Sequence, residues 1–318
     1  MATNTTGARR RYRPPRPLGS NSRSIRRREL ERTVKASGFL APALLIIIAF
    51  VFLPAFTALW TSLTNASGFG KADWVGLENY IEAFTSPAVL RAILNTMLYA
   101  VMYGPVVIVI GLAAALLLNR TDIPFRAAFR TIIFLPFVIS MAVASLAWNF
   151  LLDPNLGLIP YWLGQIGIRI DDVFASTTWA LPAVTAVAVW KNFGYFMVIF
   201  LAGLQGISSH LYEAAKLDGA GPWRTLLAVT LPGLRGTMSF VIIFAIIGAF
   251  QAFDQIYIMT QGGPDHATET IVYRIYTDGF RDFKLGFASA LSYILLAMTL
   301  VLGLIQLRIG AKQEKELE

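Results

Sequence analysis

Long apolar runs alternate with short polar stretches along this chain, and the length of the runs sets the fold class. Six of them, Phe39 to Leu59, Met97 to Leu118, Ile132 to Leu152, Leu181 to Leu204, Met238 to Met259 and Leu285 to Leu307, supply the about 20 apolar residues that a helix needs to cross a bilayer. Lipid offers backbone N–H and C=O groups no partner, so continuous runs of this length predict helices. Barrel strands would be half as long and would alternate. The pattern therefore predicts an all-α integral membrane protein with six transmembrane helices, in which only Lys191 and Asp254 place a charge inside a span.

The polar stretches carry their own signals. Ser208 to Gly236 predicts a bent knob: Ser208 and Ser209 suit the cap of a short helix with Glu213 in its early turns, and Leu211, Ala214, Ala215 and Asp218 share one face of it. Gly219 and Gly221 break that helix, and Pro222 suits the first position of a second one, striped by Trp223, Leu226, Leu227 and Thr230. Pro232 is expected to hold Leu231 out of helical geometry, so that the chain leaves the knob extended. The sequence Thr260, Gln261, Gly262, Gly263, Pro264 predicts a tight turn after the fifth span. Asp153 to Gly157 predicts another, followed by a short surface helix at Tyr161, Trp162 and Leu163. Trp74 and Tyr80 suit the membrane interface. Gly104 with Pro105, Pro136 and Pro182 predict kinks in spans two, three and four. The short turn from Asn119 to Arg130 predicts that spans two and three are antiparallel neighbours.

Charge orients the helices. The N-terminus, the second and fourth loops and the C-terminus carry 20 of the 27 Lys and Arg, which places both termini and the knob in the cytoplasm by the positive-inside rule. Residues 1–36 hold ten Arg and almost no large aliphatics, so they predict a disordered basic tail; residues 37–310 form the permeating helical domain, with the knob at 206–236, and 311–318 a charged tail. Arg26, Arg27 and Arg28 resemble part of a twin-arginine signal, but the run that follows is as long as a span and is read as a retained first helix. The net charge of +8 comes largely from the tail beside a membrane, where anionic lipid explains it without nucleic acid. The absence of Cys excludes thiolate metal sites, disulfides and thiol nucleophiles.

Energy for transport is not visible within the chain. Gly70 and Lys71 lack the upstream Gly and the hydroxyl residue of a P-loop, and His210 and His266 have no partner at metal-ligand spacing and read as surface residues. A coupled secondary carrier would bury several ionisable groups, and here there are two.

The residues do carry a resemblance. Glu213, Ala214, Ala215, Asp218, Gly219, Ala220, Leu231 and Pro232 resemble the EAA loop of permease subunits in ATP-binding cassette importers. Phe253, Asp254, Ile256, Tyr257, Thr260, Gly262, Gly263, Pro264 and Thr268 are similar to the pattern after span five in carbohydrate permeases of the larger maltose type. Trp190, Lys191, Gly194, Ala202, Gly203, Leu204 and Gln205 fit the same group. With six spans and no large insert, the chain resembles the compact trehalose, lactose or glycerol-phosphate permeases.

The resemblance implies a bacterial inner-membrane permease for a sugar or sugar derivative, half of a heterodimer with a second permease. It further implies two cytoplasmic ATP-binding subunits, which hold ATP and Mg, and an extracytoplasmic solute-binding protein. This chain would carry no cofactor and no catalytic residue. ATPase coupling is assigned to Glu213, Ala214, Ala215, Asp218, Gly219 and Pro232, and the substrate pathway to Lys191, Asn192, Tyr195, Phe250, Gln251 and Asp254, with Gly262, Gly263 and Pro264 as the outer turn. Tyr195 lies near the sugar site by that resemblance, whereas Ala249 and Ala252 are small where family members make contacts. Two other readings remain open: a self-sufficient carrier or channel, and a scaffold whose knob lies on lipid through Trp223, Leu226 and Leu227.

Overall fold

The computed structural model describes residues 40–120, 122–168 and 171–315, with side chains to residue 310. The expectations for the basic tail at 1–36, for Phe39 and for residues 316–318 lie outside the described residues. The chain divides into two compact units, residues 1–57 and 58–318. The first contributes most of helix α1, Leu40–Ser62, which passes through a π turn at Ile48–Phe52, just ahead of Pro54. A π turn spreads the helix where proline cannot donate.

The second unit contains α2 (Glu78–Thr85), α3 (Pro87–Asn119), α4 (Arg126–Val138), α5 (Met141–Leu151), α6 (Leu158–Gln165), α7 (Ala180–Gln205), α8 (Ser209–Leu217), α9 (Pro222–Thr225), α10 (Arg235–Phe250), α11 (Asp254–Met259), α12 (Ile271–Tyr276) and α13 (Leu285–Lys315). No strand forms among the described residues; one isolated antiparallel bridge joins Thr64 to Trp74. Five helical stretches are long and apolar enough to cross a membrane, and a sixth crossing arises if α4 and α5, bent by 96°, count together. The third apolar run is thus a broken helix rather than a continuous one.

Only one of the three proline sites breaks its helix. Pro136 stands three residues before the bend at Ile139 and Ser140, and the Ser140 hydroxyl caps α5 through the Val143 amide. Pro182 falls in the first turn of α7, where amides lack helical partners in any case, so no kink results. Pro105 lies inside α3, which continues past it to Asn119 packed against its neighbours. The short surface helix after Gly157 is present as α6, with Tyr161 and Trp162 exposed.

Helix α7 is the central post. Tyr99, Tyr103 and Val107 of α3 pack on Val184, Ala188, Phe196 and Phe200 of α7, and Val241, Ala245 and Ala249 of α10 close the same core. Spans two and three, expected to pair with each other, both lie mainly on α7 instead. Small residues permit this approach, as membrane helices require when lipid supplies no hydrophobic drive. At Gly194 a Cβ would lie 2.1 Å from the Ile133 carbonyl oxygen of α4, and at Gly111 it would lie 3.0 Å from the Phe196 Cβ. A second apolar cluster, Ala83, Val89, Ile271, Phe287, Leu291 and Ile294, ties α2, α3, α12 and α13 together.

The knob departs from expectation at one point. Leu231 is helical, at φ −64° and ψ −42°, because a π turn at Leu226–Thr230 precedes it. The wider turn, closed by the Leu231 amide on the Leu226 carbonyl, makes room for Pro232 without forcing an extended exit. The chain therefore runs helically from α9 through Leu231–Gly233 toward α10.

Gly194→Ala should destabilise the protein by about 1–3 kcal/mol, because the added methyl meets backbone that cannot swing away. Gly303→Ala, whose Cβ meets nothing within 4 Å, should not. Thermal unfolding in nanodiscs, followed by tryptophan fluorescence, compares the two.

Candidate functional site: a polar cavity where two helix breaks meet

The fifth apolar run is interrupted. Helix α10 stops at Phe250 and α11 begins at Asp254; Phe253 between them has φ −135° and ψ −62°. Gln251 and Asp254, expected on one continuous helical turn, instead flank the break. Groups freed by it find partners: the Ala252 amide donates to the Ala249 carbonyl at 3.3 Å, and the Ala252 carbonyl accepts from Thr270 Oγ1 at 3.1 Å. Thr270 also caps α12, through the Tyr273 amide, and the Ile271 amide donates to Thr96 Oγ1 of α3 at 2.9 Å. The break is a built feature, held from two other helices.

Beside it lies a cavity of about 280 Å³, lined in part by Lys191, Asn192, Gln251 and Asp254, four of the six residues that the sequence assigns to a substrate pathway. Met141, the first residue after the bend in the third run, also lines it, so both breaks meet there. Sequence reasoning missed three further polar residues of the lining, Tyr99, Tyr103 and Gln255. Gln255 Nε2 donates to the Tyr99 hydroxyl at 2.8 Å, Tyr99 stacks on Tyr103 at 5.7 Å, and Tyr103 and Asn192 line the same cavity. A polar residue four positions from another on a long apolar helix, as Tyr99 is from Tyr103, is the signal that could have found them.

Tyr195 and Phe250 do not line the cavity. Tyr195 stacks on Phe137 at 4.5 Å and 13°, and Phe250 is buried in the core. Lys191 serves the bend as much as the cavity: its Nζ donates to the Phe137 carbonyl at 3.3 Å and sits 5.0 Å from the centre of that ring. That carbonyl lies in the last turn of α4, where helical partners run out. A larger groove of about 490 Å³ between α3 and α7, walled by residues such as Met102, Val106, Trp190 and Phe193, has almost no polar surface. It suits hydrocarbon, so the smaller polar cavity is the candidate.

The outer turn is closed by hydroxyls and small residues. Gly262, at φ +80°, lies against the Tyr273 ring, where a Cβ would sit 2.7 Å from a ring carbon, and the Gly263–Pro264 peptide is cis. Thr268 Oγ1 donates to the Gly263 carbonyl at 2.7 Å and lies 2.7 Å from Thr260 Oγ1. Asn95 of α3 clamps the same segment, donating to the His266 and Glu269 carbonyls. His266 is exposed, as expected, and its Nδ1 meets the buried carboxylate of Glu269. Arg274 bridges Glu269 at 3.4 Å and Asp278 at 2.7 Å. Burial pushes the Asp278 carboxyl above the usual range, and the Arg274 guanidinium pulls it back.

On the other side of the bundle the knob is exposed. Gly219, at φ +70°, turns the chain between α8 and α9, with the Ala220 amide donating to the Ala215 carbonyl at 2.9 Å. Ser208 holds the N-cap position of α8 without a side-chain bond, and Asp218 the C-cap. His210, expected in a loop, lies on α8 at 3.6 Å from Glu213. Leu211, Leu217, Trp223 and Leu227 are exposed on the knob, while Tyr212 anchors it with its hydroxyl 3.3 Å from Thr230 Oγ1. Among the described residues no cluster of three or more His, Asp or Glu could hold a metal ion.

Residues 107–315 match the family model described as the binding-protein-dependent transport system inner membrane component. The chain is 35% identical over 271 residues to the sn-glycerol-3-phosphate transport system permease protein UgpA of Pectobacterium atrosepticum, covering 84% of this chain and 90% of that one. It is 34% identical over 304 residues to the diacetylchitobiose uptake system permease protein NgcF of Streptomyces coelicolor, covering 91% and 86%. Its fold is similar to a chain in the crystal structure of a bacterial alginate ABC transporter in complex with an alginate pentasaccharide-bound periplasmic protein. That likeness has a TM-score of 0.77 over 88% of this chain and 94% of the other, and at 22% identity it speaks for the fold alone.

Arg274→Met should cost about 3–5 kcal/mol of stability, because it strands the buried Asp278 carboxylate and leaves Glu269 with His266 alone, whereas Arg274→Lys should cost less. Thermal midpoints of the two variants in nanodiscs, read against the parent, check this.

Proposed function

Because the chain belongs to the family of binding-protein-dependent transport system inner membrane components, we propose that it is a permease subunit of an ATP-driven importer for a sugar or sugar derivative, supplying half of the translocation pathway. The observation that carries this reading is the polar cavity at the meeting of two helix breaks, which contrasts with the apolar groove between α3 and α7. Helices interrupted at mid-membrane are tolerated where they line a path, and a hydroxylated solute needs amide, phenol and carboxylate groups of the kind that Gln251, Asn192, Tyr103 and Asp254 offer.

The bent pair α4 and α5 makes the sixth crossing in this reading, and the knob at 206–236 is the cytoplasmic coupling element. Its turn at Gly219 presents Glu213, Ala214, Ala215 and Asp218 to a groove on an ATP-binding subunit, with Pro232 setting the return to the membrane. ATP and Mg belong to that partner, and the chain itself catalyses nothing. A second, homologous permease completes the pathway, and a solute-binding protein delivers substrate to the outer turn at Gly262, Gly263 and Pro264. Both termini then lie in the cytoplasm, as the distribution of basic residues requires.

Gly219→Val tests the coupling. A β-branched residue in the left-handed region is strained by about 1–2 kcal/mol, and the knob should lose its shape while the bundle keeps its own. Copurification of the ATP-binding subunit and sugar uptake should both fall at least about tenfold, a loss that corresponds to 1.4 kcal/mol of docking energy; normal values for both would refute the docking role.

Gln251→Ala and Asn192→Ala test the cavity. Each should reduce uptake strongly while assembly and binding-protein-stimulated ATP hydrolysis persist. Unchanged uptake kinetics in both would place the sugar elsewhere, along the partner's helices.

A further inference from the structure

The break at Gln251 to Phe253 opens outward onto a series of aromatic rings that neither the cavity nor the core uses up. Phe253 lines the cavity and stacks on Tyr257 at 5.4 Å and 22°. Tyr276 lies 5.2 Å from both of them, and stacks on Phe280 at 5.8 Å and 24°. The series runs from the lip of the cavity to a ring that is 70% exposed, with Tyr257 also exposed at 41%. Tyr273 packs behind it, its ring centre 6.5 Å from that of Phe253 and 6.4 Å from that of Tyr257.

Resting on the reading of the chain as a sugar permease, we propose that Phe253, Tyr257, Tyr276 and Phe280 form a track on which the faces of pyranose rings stack between the outer opening and the polar cavity, so that the substrate is an uncharged cyclic saccharide. Flat faces at successive steps match the apolar faces of sugar rings and give nothing to an acyclic phosphate. The charges argue the same way. The Lys191 ammonium is committed to the Phe137 carbonyl and ring, while Asp254 adds a carboxylate to the cavity. Near the outer end, Arg274 is committed to Glu269 and Asp278. The Asp254 carboxylate therefore offsets the Lys191 ammonium in the cavity rather than leaving it to draw an anion, and sugar hydroxyls can donate to that carboxylate. Rings gathered merely to anchor in lipid would not need to begin at a polar cavity.

The chain has no cysteine, so single cysteines report on the track directly. Tyr276→Cys and Phe280→Cys are placed in the full complex with its partner subunits in proteoliposomes. A membrane-impermeant, positively charged methanethiosulfonate reagent should label both on this chain. An added pool of maltose, trehalose, cellobiose and N,N′-diacetylchitobiose with the binding protein should slow labelling at least about threefold. Absence of labelling would overturn the track, since the rings would then face lipid or protein, and so would labelling that the pool leaves unchanged. Uptake kinetics provide the second arm: Tyr276→Ala should raise KM about 2- to 10-fold with kcat little changed, as expected for loss of one ring contact, and Tyr276→Phe should match the parent. Preference of the parent complex for sn-glycerol 3-phosphate over every sugar in the pool would also overturn the proposal. Failure of the permease reading shows differently, as absence of any ATP-driven uptake by the parent complex, and is independent of whether water reaches the two cysteines.

Discussion

A helix interrupted inside a bilayer must find partners for the backbone groups it gives up, and that requirement organises this protein. At Ala252 the freed carbonyl is met by Thr270, a residue that caps α12, whose first amide is in turn held by Thr96 on α3. Gln255, just past the break, reaches Tyr99 on the same helix. The other break, after Pro136, leaves a carbonyl at Phe137 that Lys191 of α7 takes up. Each interruption is therefore secured by a polar side chain from another element, Thr270 at the start of α12 and Lys191 of α7; Thr270's helix is in turn held by α3, which with α7 forms the pair most closely packed in the core. Lys191 both takes up a freed carbonyl and walls the polar cavity, so stability and the cavity are coupled at that residue.

This arrangement suits movement. The cavity lies between pieces that are each short and rigid, α5 and α11, joined to longer helices through two or three non-helical residues. Such joints absorb rotation with little repacking. The outer turn is tied to α3 by Asn95 and by the Arg91–Asp265 pair at 3.3 Å, so displacement of α3 would carry that turn with it. The knob, in contrast, is tied within itself by the contact between Tyr212 and Thr230, and keeps large apolar side chains exposed. It has the surface of an element that docks rather than one that packs.

Much of this was legible in the residues. Length and continuity of the apolar runs gave the all-helical class, and Gly219 and Pro222 marked the bend of the knob and the start of its second helix, where both are found. What the pattern hid was interruption. The run from Met238 to Met259 is apolar except for Ser239 near its start and Gln251, Asp254 and Gln255 near its end, and nothing in periodicity says that the helix opens there, because the repair comes from Thr270, well outside the run. For the same reason Leu231 was misjudged: a π turn upstream relieved the proline locally, and a rule for the residue before proline does not see it. In the cavity, Lys191, Asn192, Gln251 and Asp254 stand out as polar positions in apolar runs, whereas Tyr99 and Tyr103 do not stand out in that way. His266 is the surface residue expected, but its partner, Glu269, is buried by tertiary packing that the sequence does not display.

The central claim is that the two breaks exist to make a binding place for a saccharide inside the membrane. The most direct measurement is a cryo-electron microscopy map of the full complex, with its binding protein, in nanodiscs under turnover with its transported sugar. The account predicts sugar density within hydrogen-bond reach of Gln251 and Asn192, with the helix open between Phe250 and Asp254. A continuous helix through residues 250–254, or sugar density confined to the partner permease and never beside these residues, would contradict it.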